Sequence, residues 1–409
     1  METTTTRLTP ETALPEIRRA AERLAPYIRR TPTIYSHSLS EPTGLEVWLK
    51  LENLQRTGAF KIRGALNKVL GLPREQLERG LVAASAGNHA QGVAFAARLV
   101  GARATIVMPL TTPIMKVQRT EAYGAEVVLS GDNYDASQKI ASELALARGA
   151  TLIHPFDDVD VVIGQGTVGL ELMEDAESLD AVVVPIGGGG LIAGIALAIK
   201  ARSPSTRVIG VQAAGAAPTV QAFLTGLPAR VANPTTIADG IRVGVTGTIT
   251  LDVIRRCVDE CVTVTEDEIV DAVVQTMEKS KVVAEGAGVA GVAAILAQKF
   301  TGAKRVATVI CGGNIDLNLV ARILENGLER AGRTHHVRVR VQDTPGQLAK
   351  LVGIVAQNQC NIVDVQHLRA GWQVPLGFVD IDVVVETRRA DAGAQLDAAL
   401  RAAGFEVRP

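Results

Sequence analysis

The chain has 409 residues, of which 47% are hydrophobic and only 3% aromatic, enough aliphatic surface to bury the cores of two or three domains. Its 42 basic and 43 acidic side chains leave a formal net charge of -1, which provides no electrostatic footprint for nucleic acid or an anionic membrane and favours small-molecule partners. Four cysteines in so long a chain imply no disulfide framework, and Cys257 with Cys261 lacks the second ligand pair that zinc requires, so no metal site is expected.

Met1 to Thr9 is threonine-rich without an apolar h-region, so it reads as neither signal peptide nor anchor, and the expected compartment is the cytoplasm. The first segment with chemistry is Thr57, Gly58, Ala59, Phe60, Lys61, Ile62, Arg63, Gly64, Ala65. A turn carrying Gly58 runs into helix-forming residues and presents first-turn side chains to an adjacent cleft, with Phe60 as a flat wall. A lysine on a helix is ordinarily a solvated charge, but a desolvated amine is a nucleophile that condenses with carbonyls, which makes Lys61 the candidate for covalent catalysis.

A short apolar strand, Leu81 to Ala84, leads into Ser85, Ala86, Gly87, Asn88, His89, Ala90, Gln91, Gly92, with an alanine-rich helix expected from Gln91 to Leu99. Small residues, a hydroxyl, an amide and an imidazole at a helix N-terminus can hold a carboxylate or a phenolic oxygen. Singly, Asn88 or His89 would more often be a cap or a satisfied surface residue.

Further valine- and isoleucine-rich runs, Ala104 to Met108, Glu126 to Leu129, Ala181 to Pro185, Arg207 to Val211 and Arg305 to Ile310, alternate with helical stretches, the α/β pattern of buried parallel sheets. After the third of these comes Ile186, Gly187, Gly188, Gly189, Gly190, Leu191, a strand, glycine loop and helix whose turned N–H groups suit a phosphate. The uncharged run Ala181 to Ile199 has the length of a membrane span, but Pro185 and the glycines would break such a helix. Gly188, Gly190 and Ala193 fit a loose dinucleotide fingerprint, yet the next strand ends at Gln212, with no acid to hold a ribose. Val309 to Asn314 ends a buried strand with Cys311 at its tip, where a small buried cysteine is the commoner reading.

Near Gly332 the polar bridge Ala331 to His336 marks a domain boundary. Beyond it, strand Val337 to Val341, helix Gln347 to Gln357, strands Ile362 to Arg369 and Phe378 to Glu386, helix Ala394 to Ala403 and strand Phe405 to Arg408 give the order βαββαβ, the ferredoxin-like unit.

Taken in order and at these separations, Lys50, Glu52, Asn53, Gln55, Thr57, Gly58, Phe60, Lys61, Arg63, Gly64 and Ala65, then Ser85 to Gly92, Gly187 to Gly190, Thr236 to Gly240 and Cys311 to Asn314, resemble the fold-type II pyridoxal-phosphate enzymes. Within that family the match is closest to the threonine dehydratases, over Arg7 to Arg330. The resemblance implies an α/β catalytic domain at 1–332, built of two parallel-sheet subdomains like tryptophan synthase β, with the smaller one, about 57–157, inserted in the larger. The loop Asp343, Thr344, Pro345, Gly346 resembles that of ACT amino-acid-sensing domains, implying an α+β regulatory domain at 333–409.

By the same resemblance, pyridoxal 5'-phosphate would be carried on Lys61, flanked by Phe60 and Gly240, bonded at its phenolic oxygen by Asn88, held at its phosphate by Gly187, Gly188, Gly189 and Gly190, and faced at its pyridine nitrogen by Cys311. Ser85, Ala86, Gly87, Asn88 and His89 would hold the substrate carboxylate. The implied reaction is deamination of L-threonine to 2-oxobutanoate and ammonia, with L-serine to pyruvate as a side activity, at the head of isoleucine synthesis and under an amino-acid effector; a homo-oligomer, dimer or tetramer, is implied too.

Catabolic deamination and serine racemisation are the alternatives on the same scaffold. Racemases of the family have serine where this chain has Ala86, and acidic ion ligands where it has Gln212, Ala216 and Pro218, so elimination without a divalent ion is expected. Main-chain oxygens there could still hold a monovalent cation, with Glu285 nearby. An amino-acid-binding protein with a silent catalytic body is the rival from another class, and the intact Lys61 and glycine loop oppose it. One departure from the family is Ala59, where serine is common, which puts a secondary phosphate contact in doubt.

Overall fold

The branched aliphatic runs become the strands of two parallel sheets in the computed structural model, which describes residues 7–369, 374–389 and 391–408. The larger sheet has the order Thr33–Tyr35, Glu46–Lys50, Arg305–Val309, Ala181–Pro185, Arg207–Ala213, Glu260–Val264, and only its first pair is antiparallel. The smaller one is wholly parallel, ordered Glu126–Leu129, Ala104–Met108, Leu81–Ala84, Thr151–Leu152.

Both sheets are covered by helices, which is why Ala181–Pro185 and Ala104–Met108 are buried at every position instead of alternating. The helix Gly190–Arg202 is buried from Gly190 through Ile199, so the long uncharged stretch is an interior strand and helix. Among the described residues no helix is long and apolar enough to cross a membrane.

These sheets belong to one of two compact units, Met1–Ile315 and Asp316–Pro409. The helix Leu317–Arg330 counts with the second unit, whereas the sequence reading ends the first domain at 332. The second unit carries an antiparallel sheet ordered Asn361–Leu368, Phe378–Glu386, Thr334–Gln342, Glu406–Arg408, with helices Gln347–Gln357 and Ala392–Ala402. Val337, Val339, Val341, Val379, Ile381, Val383 and Val385 of the sheet share one core with Leu351 and Val355 of the first helix and Leu396 and Leu400 of the second. The alternate positions pair charges directly across the strands: Arg338 bonds Asp382 at 2.5 and 2.7 Å, and Arg340 bonds Asp380 at 2.6 and 2.8 Å.

A buried ionic cluster anchors the start of the Lys61–Leu70 helix in the first unit. Arg63, fully buried, donates to both oxygens of fully buried Glu52 at 2.9 and 2.7 Å and to Glu171 at 2.7 and 2.9 Å. Lys50, also fully buried, meets Glu171 at 2.8 Å and Asp175 at 3.2 Å. Strand Glu46–Lys50, the 3-10 turn Glu52–Leu54 and helix Val159–Asp175 are thereby tied to the turn of helix that bears Lys61.

Candidate active site

Parallel strands leave their C-terminal ends free to carry loops, and that is where the candidate residues emerge: Ser85 after Leu81–Ala84, Ile186 after Ala181–Pro185, Ile310 after Arg305–Val309. The loops converge on one cavity of about 480 Å³, lined by Phe60, Lys61, Ser85, Ala86, Gly87, Asn88, His89, Gly187, Gly188, Gly189, Gly190, Gly240 and Cys311. Every catalytic, cofactor and substrate position read from the sequence therefore faces one space. Asp343 to Gly346 lies in the other unit, between strand Thr334–Gln342 and helix Gln347–Gln357. There the Asp343 N–H donates to Gly377 O at 2.9 Å, Arg369 reaches Asp343 at 3.1 Å, and Gly346 takes φ 94° at the helix start.

Lys61 is the first residue of its helix. The strand-like segment before it is held against the Cys311 loop: the Phe60 N–H donates to Cys311 O at 3.1 Å and the Gly313 N–H to Gly58 O at 2.9 Å. Its amine donates to Pro155 O at 3.0 Å and stands 5.3 Å from the centroid of the Phe60 ring. Enclosure in the cavity lowers the Lys61 pKa to about 8, with Cys311 and Glu285 pulling weakly the other way. Cys311 is held well above an ordinary thiol, by burial first and by Glu285 and Glu52 next, so it stays protonated.

Gly189 takes φ 96°, a left-handed conformation that turns the loop into the head of the Gly190–Arg202 helix. Gly188 has no room for a side chain, because a β-carbon there would overlap the Phe156 ring. Thr250 fixes the loop by donating to Gly188 O at 2.7 Å, and Asp157 in turn accepts from the N–H groups of Thr248, Ile249 and Thr250 at 2.9, 2.8 and 3.2 Å. An anion cradle of bare N–H groups is thus pinned from behind.

The Asn88–Val100 helix begins three residues before the expected Gln91, so Asn88 and His89 form its first turn. Gly87 at the N-cap makes no side-chain cap, leaving those first N–H groups to the cavity. His89 is 2% exposed; its Nε2 lies 2.9 Å from Ile153 O and its Nδ1 has no partner. Burial, with Lys61 adding to it, lowers its pKa to about 3, so the ring is neutral and Nε2 carries the hydrogen. Asn88 Nδ2 donates to Glu285 at 2.8 Å, and Asn314 Nδ2 donates to Asn88 Oδ1 at 2.8 Å.

Sequence reasoning named Glu285 only as a carboxylate near a cation and gave Asn314, Pro155 and Phe156 no role of their own. Glu285 stands on the cavity wall with Asn88 as its partner, while Gln212 is occupied by Ile186 O at 3.4 Å and by the Val220 N–H at 3.0 Å. Asn314 was visible only as the end of the Cys311 motif. Pro155 and Phe156 carried no signal at all, since a main-chain acceptor and a packing ring have no sequence signature. Among the described residues no group of three or more His, Cys, Asp or Glu could hold a metal ion.

The family model described as pyridoxal-phosphate dependent enzyme matches residues 24–312, and the ACT domain model matches residues 335–401. The L-threonine ammonia-lyase of Thermotoga maritima is 46% identical over 395 residues, 97% of this chain and 98% of that protein. Among solved structures, the processed form of threonine deaminase isoform 2 from Solanum lycopersicum matches with a TM-score of 0.74 at 35% identity, covering 77% of this chain and 87% of that one. Maize serine racemase matches with a TM-score of 0.73 at 38% identity, covering 78% and 98% respectively.

Proposed function

This chain belongs to the pyridoxal-phosphate dependent enzymes and ends in an ACT domain, and on that premise we propose that it deaminates L-threonine to 2-oxobutanoate and ammonia, with L-serine as a lesser substrate. The observation that carries this reading is the convergence of an enclosed amine, a pinned glycine cradle and a second helix N-terminus on one cavity.

The residues fit the cofactor. Gly187 to Gly190 would take its phosphate through main-chain N–H groups, Lys61 its carbonyl carbon, Asn88 its phenolic oxygen, and the neutral Cys311 thiol its ring nitrogen, with Phe60 and Gly240 as walls. When bound, pyridoxal phosphate supplies an electron sink for the pair left behind when a Cα proton is removed. Ser85 to His89 would fix the substrate carboxylate, placing Cα beside Lys61 Nζ. An amine already lowered toward neutrality can accept that proton, and Lys61 is the base we assign. Ala86 offers no proton from the opposite side, which favours loss of the β-hydroxyl over racemisation.

We assign 1–332 to catalysis and 333–409 to sensing, with an amino acid bound by the Asp343 to Gly346 loop; isoleucine is the first effector to test, as fits a biosynthetic enzyme. Among the described residues the Asn361–Leu368 strand pairs on one side only, and such an edge strand supports a homo-oligomer. A monovalent cation on main-chain oxygens near Gln212, Ala216 and Pro218, and a cytoplasmic location, belong to the same proposal. The test is a keto-acid assay with L-threonine and L-serine, run on the full chain and on a chain ending at Gly332, with and without isoleucine. Formation of 2-oxobutanoate by both forms, with the isoleucine response confined to the full chain, supports the reading; absence of keto acid from the cofactor-loaded protein overturns it.

A further inference from the structure

Glu285 stands at the N-cap of the Gly286–Leu296 helix but makes no side-chain cap there. Its side chain turns instead into the wall of the cavity, where the residue is 5% exposed. Two backbone positions give it room: a β-carbon on Gly312 would lie 2.5 Å from Glu285 Oε1, and one on Gly240 3.2 Å from it.

The hydrogen bonds around it admit one arrangement. Thr57 O can only accept, so the group 2.7 Å from it on Asn314 is the NH2. That same NH2 lies 2.8 Å from Asn88, which must present its oxygen there. The other end of the Asn88 amide is then its NH2, and it donates to Glu285 Oε1 at 2.8 Å. One N–H of Asn88 is committed to the carboxyl group, and the second remains for a ligand in the cavity.

We propose that Glu285 is a positioning residue for Asn88, fixing its amide so that an N–H is presented to the phenolic oxygen of the bound cofactor. This rests on the pyridoxal-phosphate reading above. The groups facing the carboxyl are Asp239, Lys116, Lys61 and Cys311. Burial, then Asp239, raises the Glu285 pKa, while the Asn88 N–H, Lys116 and Lys61 lower it, and the balance stands at about 7. Glu285 thus changes charge within the working range of pH, beside the amide it orients.

The experiment is a double-mutant cycle on the cofactor-loaded protein: Glu285→Ala, Asn88→Ala and the two combined, with Glu285→Gln alongside. Cofactor affinity by equilibrium dialysis and the visible spectrum between about pH 6 and 9 are recorded without substrate. Each alanine variant should weaken cofactor binding about tenfold, the worth of one hydrogen bond, and the combined variant should be no worse than Asn88→Ala alone. Glu285→Gln, whose amide oxygen still accepts from Asn88, should keep near-normal affinity while the spectrum loses its pH response near 7. Multiplying losses in the combined variant, or an unchanged spectral titration in Glu285→Gln, would overturn the proposal; the glutamine variant decides it alone if Glu285→Ala does not fold. A wild-type protein that takes up no cofactor would instead overturn the cofactor reading itself.

Discussion

Lys61 Nζ donates to the main-chain oxygen of Pro155 at 3.0 Å, joining the first turn of a helix to the segment that follows the last strand of the smaller sheet. Its hydrogen-bond partner is a neutral carbonyl and not a carboxylate, and Cys311 and Glu285 offset only part of the penalty that enclosure places on the ammonium form.

An amine with a pKa of about 8 should therefore react with acylating reagents at lower pH than ordinary lysines, half-maximally near pH 8 in the cofactor-free protein, as mass spectrometry of the labelled peptide would show. Lys61→Ala should fold, take up no borohydride-reducible cofactor, and lose at least about 10³-fold in turnover, since the carrier and base functions share one nitrogen. Ordinary turnover by that variant would remove Lys61 from the mechanism.

Gly188→Ala should cost about 1 to 3 kcal/mol of stability through the clash with the Phe156 ring, and should weaken phosphate binding as the loop shifts. Adding Phe156→Ala ought to relieve the clash, leaving a combined loss smaller than the sum of the two single losses. Urea midpoints of the three proteins test this; strictly additive losses would mean that the ring is not what excludes a side chain.

Removing Arg63 leaves the buried Glu52 carboxylate without its ion-pair partner, whereas Arg63 without Glu52 still keeps Glu171. Arg63→Met should cost about 3 to 5 kcal/mol, and Arg63→Met with Glu52→Gln markedly less than the sum of the singles. Burial pushes the Glu52 carboxyl up, but Arg63, Thr31 and Lys50 overcome it and hold it below its ordinary value. Its contribution is thus present above the unfolded pKa of about 4.3 and lost as pH falls through the folded one. Acid unfolding of the Glu52→Gln protein should accordingly depend less steeply on pH below about 4 than that of the wild type.

Glu285 carries the opposite sign. With its folded pKa raised to about 7, the native state holds a proton that the unfolded chain has released, so cofactor-free stability should fall as pH rises from about 4.5 to 7. The loss is on the order of 3 kcal/mol over that window. Glu285→Gln removes it, and the gap in unfolding midpoint between variant and wild type should widen from pH 5 to pH 7.5. A constant gap would mean that the carboxyl is ionised throughout.

The sheets and the cavity loops were legible because they rest on local rules. Strand Ala181 to Pro185, strand Glu126 to Leu129 and helix Gln347 to Gln357 fall within the bounds read from the sequence, since buried parallel strands and amphipathic helices advertise themselves by run length and period. The start of the helix at Asn88 was read three residues late, because Ser, Gly and Asn look like loop, and Gly87 is an N-cap without a capping side chain. The role of Glu285 beside Asn88 was illegible for a different reason: its partner Asn88 is nearly two hundred residues away, and its raised pKa is a property of enclosure that no local pattern encodes.

The order of strands in the larger sheet also fixes when its parts can form. Lys50 pairs with Val309, so the first strands of the chain have no parallel neighbour until the last strand of the unit has been made. The smaller sheet draws all its strands from Leu81 to Leu152 and needs nothing synthesised later. During translation the smaller sheet can therefore close while Thr33–Tyr35 and Glu46–Lys50 wait, with buried-to-be Val47 and Leu49 still in water. Refolding from denaturant should show the same sequence, amides of Leu81 to Leu152 gaining protection from hydrogen exchange before those of Glu46–Lys50, and the interval between the two is when this protein is most exposed to aggregation.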